Sequence, residues 1–518
     1  MINKTKVNKN PVQIKRALIS VYDKTDVVVL AKHLNKLKIE ILSTGGTAVI
    51  LRDSNIDVVD VSDYTNFPEI MDGRVKTINP LIEGGILGLR DIHQKEATLN
   101  SVKWIDLVIC NLYPFSETIT QKNCSLSLAL ENIDIGGPTM IRSAAKNLGW
   151  VNVNVDPTDY RPLINELEQT GEISYQTRQK NSAKAFGHTA QYDTIIHNYL
   201  KGEEFSEDLS LTYVKHSTMR YGENPHQSAA AYKIPSNDDN NILNAKIHQG
   251  KELSYNNIMD ADGALSCIRE FDKPTCVIVK HSNPCGVSTG DNLLNSYKHA
   301  FNADSLSAFG GIVALNRKCT VEVAIAISSV FVEIVLAPNF DIGALEVFKK
   351  KKNLRVLEVG PTIKRKTTLE LRNIDGGILL QNVDSKILTK ADLKIVTKTK
   401  PTNKNIEDCL FSWKILKHAK SNGILISKNN TTIGLGAGQV SRVDAVYMAL
   451  KKGGLNIKTA VLASDAFFPF RDSIDALKDS GLSSIIQPGG SIRDQEVIEA
   501  CNEYNISMVF TGSRCFKH

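Results

Sequence analysis

The chain has 518 residues, 42% of them hydrophobic and 23% charged, with a formal net charge of +6; this length predicts two to four globular domains with full cores. So mild a positive charge suits anionic small substrates and calls for no nucleic acid. Three further classes are disfavoured: no apolar run reaches the ~18 residues of a membrane span, the opening MINKTKVNKNPVQIKR lacks the apolar stretch of a secretory signal, and the nine scattered cysteines form no C-x-x-C pair of a zinc ribbon or thioredoxin motif. The expectation is a cytoplasmic protein whose cysteines are mostly packing thiols.

In chain order, ALISVY (17–22) reads as a buried strand and residues 23–37 as the helix after it. IEIL (39–42) is the next strand, then the loop STGGT (43–47) and a helix through Arg52. DVVDV (57–61), IDLVICNLY (105–113) and VNVNV (151–155) are further strands, and DIGGPTMIRSAAKNLG (134–149) is a Gly-rich turn opening a helix. This alternation predicts an α/β domain with a mostly parallel sheet over residues 1–155. Residues 156–210 read as a mostly helical connection. From 211 the alternation resumes, with strands at CVIVK (276–280), FGGIVAL (309–315), IVLAP (334–338), GGILL (376–380), GILISK (423–428), TAVLAS (459–464), SIIQPGG (484–490) and SMVFTG (507–512). The repeated order of strand, Gly-rich turn and helix predicts a duplicated unit, 211–390 and 391–518, split at the Lys/Thr-rich stretch 389–404.

The motifs point to anions and to proton transfer. The STGGT loop offers backbone N–H groups and a helix N-terminus to an anion, although many strand-to-helix turns are Gly-rich. DGRVKT (72–77) adds two cations, and Thr139, Arg142 and Lys146 share a helix face behind Asp134. RYGENPHQ (220–227) is dense in hydrogen-bonding groups, and SAFGG (307–311) allows close backbone approach or simply makes a turn. SDAFFPFRD (464–472) is either core aromatics or a slot for a flat ring. GAGQVSRVDAV (436–446) and PGGSIRD (488–494) are Gly-rich turns that open helices. VIVKHSNPCG (277–286) runs a buried strand into Lys280-His281 and then into an Asn-Pro-Cys-Gly turn. Acyl transfer to a weak amine needs a cation for the developing oxyanion and a base for the amine proton, which a lysine beside a histidine can supply.

Taken together, SVYDKTD, STGGTA, DYTNFPEIMDGRVKT, CNLYPF, ENIDIGGPTMIRSAAKN, KAFGHTAQYD, RYGENPHQ, KHSNPCG, SAFGGIVALN, GAGQVSRVD, SDAFFPFRD and MVFTG resemble one family from about Ala17 to His518: the bifunctional purine-synthesis proteins that join AICAR formyltransferase to IMP cyclohydrolase. The resemblance implies a methylglyoxal-synthase-like cyclohydrolase domain, followed by two cytidine-deaminase-like α/β units that carry the formyltransferase. It implies formyl transfer from 10-formyltetrahydrofolate to the 5-amino group of AICAR, then closure of formyl-AICAR to IMP with loss of water. By the same resemblance Lys280 holds the oxyanion and His281 is the base; Arg220, Tyr221, Gly310, Glu333, Asn422 and Arg442 bind AICAR; Phe467, Asp472, Gly489, Gly490 and Arg514 lie on the folate side. In the cyclohydrolase, Lys24, Thr44, Gly45, Gly46, Thr47, Arg74, Lys76 and Thr77 contact the nucleotide. Asn111, Tyr113, Asp134 and Lys146 surround the closing ring there, with Lys146 as proton carrier and Lys76 and Tyr113 counted among the catalytic groups. A homodimer with formyltransferase sites between subunits is implied, with no zinc, no nucleic acid and no membrane, and with room for a monovalent cation.

The chain departs from the family's usual residues at Tyr22, at Asn79 and Glu83, where histidines are usual, and at GLRD (88–91). A zinc deaminase is the rival enzyme, but no H-x-E occurs and NPCGVS lacks a second cysteine. A non-catalytic nucleotide sensor and an RNA-binding protein are the other readings, the last without a basic run of interleaved aromatics.

Overall fold

The computed structural model describes residues 6–235, 239–362 and 369–518. Near Tyr213 the chain divides into two compact units. In the N-terminal unit five strands lie side by side, β1 (Arg16–Ser20), β2 (Glu40–Ser43), β3 (Val59–Asp60), β4 (Leu107–Cys110) and β5 (Asn152–Asn154), in the order β3-β2-β1-β4-β5. Every neighbouring pair is parallel. Such a sheet must be covered on both faces, which explains why β4 is apolar at all four positions and wholly buried.

Helices α1 (Val27–Lys36), α2 (Gly45–Asp53), α3 (Pro80–Leu87), α4 (Gly136–Lys146), α5 (Tyr160–Thr170) and α6 (Tyr175–Leu200) follow. Leu30 and Leu34 of α1 meet Leu163 and Leu167 of α5 on one face of the sheet. Ile82, Ile141, Ala185 and Tyr192 fill the other. Within residues 156–210 the α-helices are α5 and α6, and both pack into this core: Leu163, Ile164 and Leu167 recur on one helical face and must be buried. Of DVVDV only Val59–Asp60 pairs as strand, and Val61 opens a short helix.

The C-terminal unit is built on a twelve-stranded mixed sheet. Its first six strands are β6 (Lys246–Gln249), β7 (Thr275–Lys280), β8 (Asn283–Thr289), β9 (Ile312–Leu315), β10 (Ile334–Ala337) and β11 (Arg355–Glu358). The other six are β12 (Lys394–Ile395), β13 (Ile424–Lys428), β14 (Thr431–Gly436), β15 (Val461–Ser464), β16 (Ser484–Gln487) and β17 (Ser507–Phe510). The order β6-β11-β10-β9-β7-β8-β14-β13-β15-β16-β17-β12 is one half-sheet followed by its own reverse. Helices correspond as well: α7 (Tyr255–Ile268) and α8 (Leu293–Ala303) in the first half match α9 (Asn403–Leu416) and α10 (Arg442–Gly453) in the second. One core cluster runs through both halves on the α7/α9 side, and each half has its own cluster on the opposite side.

Two expectations are corrected here. Asn-Pro-Cys-Gly is not a turn: the turn is His281-Ser282, and Asn283 begins β8. The proline is tolerated because it sits opposite Val279 at the register shift of a bulge. GGILL lies outside the main sheet, in an exposed two-stranded hairpin, Leu369–Ile374 with Gly377–Asn382.

The correspondence reaches single glycines. A Cβ at Gly286 would stand 2.0 Å from the Ala300 carbonyl oxygen, and one at Gly434 would stand 2.2 Å from that of Ala449. Each glycine lets a helix lie directly on the sheet, and the clash is with backbone, which cannot rotate away. Gly286→Ala is expected to destabilise the C-terminal unit by about 3 kcal/mol or more, measured as a lowered calorimetric transition for that unit with the N-terminal transition unmoved.

Candidate active sites

In the N-terminal unit the strand order reverses on either side of β1, so the loops after β1 and β4 splay apart at the carboxyl ends, where open α/β sheets bind ligands. These loops carry Tyr22 and Lys24, and Asn111 and Tyr113. Asn111 ties them together: its Oδ1 accepts from the backbone N–H of Tyr22 (2.7 Å) and Asp23 (2.9 Å), and its Nδ2 donates to the Asp23 carbonyl. The Thr47 hydroxyl is likewise taken up by the backbone of Val21, whose N–H it accepts and whose carbonyl it donates to. Both side chains shape the crevice with their polar atoms already engaged. The Tyr22 and Tyr113 rings meet edge to face, 5.5 Å apart.

Two helix N-termini open toward this crevice. At α2, preceded by buried Thr44, Gly45 has φ +54°. A Cβ there would lie 3.7 Å from Lys76 Nζ, and one at Gly46 would lie 4.0 Å from Lys24 Cε. Two lysines thus flank exposed backbone N–H groups, the arrangement that holds a phosphate. At α4, a Cβ on Gly136 would come within 2.7 Å of Thr77 Oγ1, and one on Gly137 within 2.6 Å of Asp134 Oδ2. The dipeptide Lys76-Thr77 therefore spans from one N-terminus to the other. Asp134 Oδ1 accepts from Gly137 N–H, and its own N–H donates to the Tyr192 hydroxyl. Burial raises the Asp134 carboxyl above the usual carboxylate range, against the opposing pulls of the Gly137 bond, the Lys76 charge and a bond from Tyr113.

Two predicted residues stand apart. Arg74 is exposed and paired with Glu131. Lys146 ends α4, ten residues beyond Gly136, which at ~1.5 Å per residue is about 15 Å from the Asp134 end. The departures from the family pattern have local partners. Asn79 caps α3 by accepting from Leu81 N–H. Glu83, raised by burial, accepts from the Ser143 hydroxyl. Arg90 pairs with Asp106 between the rings of Trp104 and Trp150.

In the C-terminal unit strand pairing brings most of the remaining predicted residues to one end of the sheet. Lys280 ends β7. Val279 pairs antiparallel with Ile312, so Gly310, just before β9, lies at that end, and Lys280 Nζ donates to the Phe309 carbonyl at 2.9 Å. One donor of three is used, leaving two for a ligand. Gly310 donates to the Phe331 carbonyl, and its φ of +73° favours glycine, although a Cβ there would meet the Phe331 ring only in ordinary contact at 3.5 Å. Glu333 precedes β10, parallel to β9, and pairs with Arg355. Arg220 is bonded and stacked on Tyr221; their loop is tied to the start of α7 by Asn256 Nδ2 and the Glu223 carbonyl, 3.4 Å.

The second half-sheet supplies the rest. Ile424 pairs antiparallel with Ser464, so Asn422 before β13 and Asp465 and Phe467 after β15 share the same end. Gly489 and Gly490 follow β16, and Arg514 follows β17. The halves are joined at this end by Asn283, whose Nδ2 donates to the His281 carbonyl and whose Oδ1 accepts from Lys420 N–H, both 3.0 Å. His281 is exposed on its turn, while Lys280 is half-buried.

Arg442 is almost wholly buried. It bonds Asn422 Oδ1 (2.6 Å) and the Ser464 hydroxyl, and pairs with the fully buried Asp465. Asp465 also accepts from Ser421 Oγ and Gly423 N–H. Arg442 therefore fixes Asn422, which donates onward to the Gln439 and Val440 carbonyls. Within SDAFFPFRD the aromatics divide: Phe468 is core, Phe467 is exposed, and exposed Phe470 faces the Arg493 guanidinium. Asp472 begins a four-residue helix and accepts from its neighbour Ser473. Arg514 lies over Phe516, 4.9 Å from the ring centre. Asn283, which helps to organise this end, was missed by sequence reasoning; KHSNPCG contains it, but only long-range pairing reveals its partners, as it does for Asp465 at the edge of SDAFFPFRD.

Among the described residues no group of three or more His, Cys, Asp or Glu is placed to hold a metal ion, and no helix is long and apolar enough to cross a membrane.

The fold and its crevices define a two-part α/β enzyme with an N-terminal anion site and a second site at one end of a duplicated sheet. The sequence profile of the AICARFT/IMPCHase bienzyme matches residues 144–452, and that of the MGS-like domain matches residues 26–139. The bifunctional purine biosynthesis protein PurH of Acetivibrio thermocellus is 51% identical over 513 residues, covering 98% of this chain and 100% of that protein. Those of Caldicellulosiruptor saccharolyticus and Anoxybacillus flavithermus are each 48% identical, covering 97% of this chain and all of theirs. The chain belongs to the AICARFT/IMPCHase bienzyme family. It is a bifunctional enzyme of purine biosynthesis, an AICAR formyltransferase and an IMP cyclohydrolase.

Arg442→Ala strands the Asp465 carboxylate and should cost about 3–5 kcal/mol, seen as a lowered calorimetric transition of the C-terminal unit. Asp134 carries a pH-dependent penalty. Its folded carboxyl holds the proton more tightly than the unfolded one, so nothing is lost at low pH, and stability falls as pH rises through the raised value. Asp134→Asn is therefore expected to raise the N-terminal melting temperature at pH 7.5 and to leave it unchanged near pH 3.

Proposed function

We propose that the two activities reside in the two units, formyl transfer in the C-terminal one and ring closure in the N-terminal one, with the residue roles that follow. Formyl transfer takes 10-formyltetrahydrofolate as donor and the 5-amino group of AICAR as acceptor. Lys280 supports the oxyanion of the tetrahedral intermediate and His281 takes the amine proton. Arg220, Tyr221, Gly310, Glu333 and Asn422 hold AICAR, with Arg442 acting by fixing Asn422. Phe467, Asp472, Gly489, Gly490 and Arg514 hold the folate. The observation that carries this reading is the convergence of Lys280, His281, Gly310 and Glu333 from one half-sheet, and of Asn422, Phe467, Gly489 and Arg514 from the other, at a single sheet end.

Ring closure joins the carboxamide nitrogen to the formyl carbon of one molecule. Holding that molecule as a near-attack conformer supplies up to ~7–11 kcal/mol, so a phosphate cradle and a few proton handlers suffice. Lys24, Gly45, Gly46 and Lys76 form the cradle, with Thr44 and Thr77 at its edges. Asp134, Lys76 and Tyr113 handle protons. Lys146 stands apart, and its assigned role as proton carrier is tested separately: Lys146→Ala should lose ring closure and keep formyl transfer. The enzyme works in the cytoplasm as a homodimer, and a monovalent cation is compatible with the reading. Units 211–390 and 391–518 are the two halves of the transferase.

The test is incubation with AICAR and 10-formyltetrahydrofolate, following IMP. His281→Ala should reduce transfer to background while added formyl-AICAR still cyclises; Asp134→Asn should do the reverse. Loss of both activities in a well-folded single variant would sink the division into two sites.

A further inference from the structure

The turn that presents His281 has a counterpart in the same molecule. Lys280-His281-Ser282-Asn283 of the β7–β8 hairpin corresponds to Lys428-Asn429-Asn430-Thr431 of the β13–β14 hairpin. Both turns place two residues in the left-handed region: His281 and Ser282 at φ 51° and 58°, Asn429 and Asn430 at 55° and 52°. In both, the lysine donates to a carbonyl three residues before the next strand, Phe309 and Lys458 respectively. In both, the sixth residue of the preceding helix is an aspartate that accepts from the turn: Asp260 from Ser282 N–H (2.8 Å) and hydroxyl (3.2 Å), and Asp408 from the N–H groups of Asn429 (3.0 Å) and Asn430 (2.7 Å).

The copies differ in how well their residues suit the turn. Two-residue hairpins of this hand favour Asn and Gly. Asn-Asn satisfies that preference; histidine visits the left-handed region more readily than most residues, but Ser282 does not, and it is not there for its turn propensity. The half-buried Asp260 is therefore what keeps Ser282, and with it the turn that presents His281, in a conformation that serine's own preference opposes. Asp408 does the same for a turn with no histidine, so an aspartate at this position is a backbone latch and not a partner in the histidine's proton transfer.

We infer that Asp260 is a positioning residue for formyl transfer: by holding Ser282 in the left-handed turn it fixes the direction in which His281 presents its imidazole. This rests on the assignment of His281 as the base. Asp260 touches no reacting atom. It acts through Ser282, and its loss lets the turn relax, with the imidazole displaced by an ångström or more.

The experiment compares four variants of the full chain, each assayed for transfer and for cyclisation of added formyl-AICAR. Asp260→Ala is expected to lower kcat for transfer about 100-fold, the size of effect a misplaced catalytic group produces, with KM for AICAR within about threefold and cyclisation intact. Glycine adopts the left-handed conformation without a latch. Adding Ser282→Gly to Asp260→Ala should therefore restore at least about 10-fold of the lost kcat, a rescue that neither a lost charge nor a general loss of stability would show. Asp408→Asn, at the counterpart, should leave transfer within about threefold. If Asp260→Ala is insoluble, Asp260→Asn, which keeps an acceptor oxygen, takes its place with a smaller loss and the same rescue. Full transfer activity in the Asp260 variant, or a loss that Ser282→Gly does not relieve, overturns the inference. The fourth variant, His281→Ala, separates the two failures: if it is inactive while Asp260→Ala is active, only the latch is wrong, whereas an active His281→Ala removes the reading on which the latch rests.

Discussion

The C-terminal unit depends on one seam, where β8 of the first half-sheet runs antiparallel to β14 of the second, with Ser288 opposite Thr431. The seam is short in backbone pairing and is reinforced by hydroxyls. Thr432 Oγ1 accepts from Val287 N–H at 2.9 Å, and the Ser288 and Thr431 hydroxyls meet at 2.8 Å. Register matters because a slip of one residue turns every side chain to the opposite face. With this register, the start of β8 lies beside the end of β14, and the His281 turn meets the loop that carries Asn422. A buried cluster braces the halves: Glu270 after α7 bonds Lys417 and His418 after α9. Burial alone would raise the Glu270 carboxyl, but the bonds and charges of His418 and Lys417 outweigh it and hold it below the usual range.

Duplication normally gives two equivalent ends, and here they have diverged. At one end Asp465 is fully buried yet charge-paired with Arg442 and bonded to Ser421 and Gly423. At the other end the corresponding position is Asn316, neutral and closed onto the backbone of Phe271, Lys273 and Thr275. A buried ion pair adds little net stability over a neutral bond. Its presence at the end where it also fixes the Asn422 amide distinguishes that end from its counterpart. In the N-terminal unit the dipeptide Lys76-Thr77 is stretched between two helix N-termini, so that the Lys76 ammonium beside Gly45 and the Thr77 hydroxyl beside Gly136 are adjacent.

Much of this was legible in the sequence. Strand alternation, the repeated order of strand, turn and helix and the Gly-rich turns all follow from periodicity and residue type. The motifs were legible as contact candidates because glycines, lysines and aspartates at strand ends carry their chemistry locally. What could not be read depends on long-range pairing. Asn-Pro-Cys-Gly reads locally as a turn, but strand β8 claims it once a bulge accommodates Pro284. Thr47, Asn111 and Arg442 read as ligand groups, yet their polar atoms are engaged with Val21, with Asp23, and with Asp465 and Asn422. Asn283 and Asp260 gave no local signal, because a latch is defined by its partner. Residues 156–210 read as polar and helical, and only their packing places them in the N-terminal core.

The most direct test is a crystal structure of the full chain with AICAR and a stable folate analogue bound. The account predicts nucleotide density against Lys280, His281 and Asn422, with the pterin beside Phe467 and Gly489, and nothing at the sheet end marked by Asn316 and Asn429. Ligand density at that opposite end, or a nucleotide seated out of reach of His281, would contradict it.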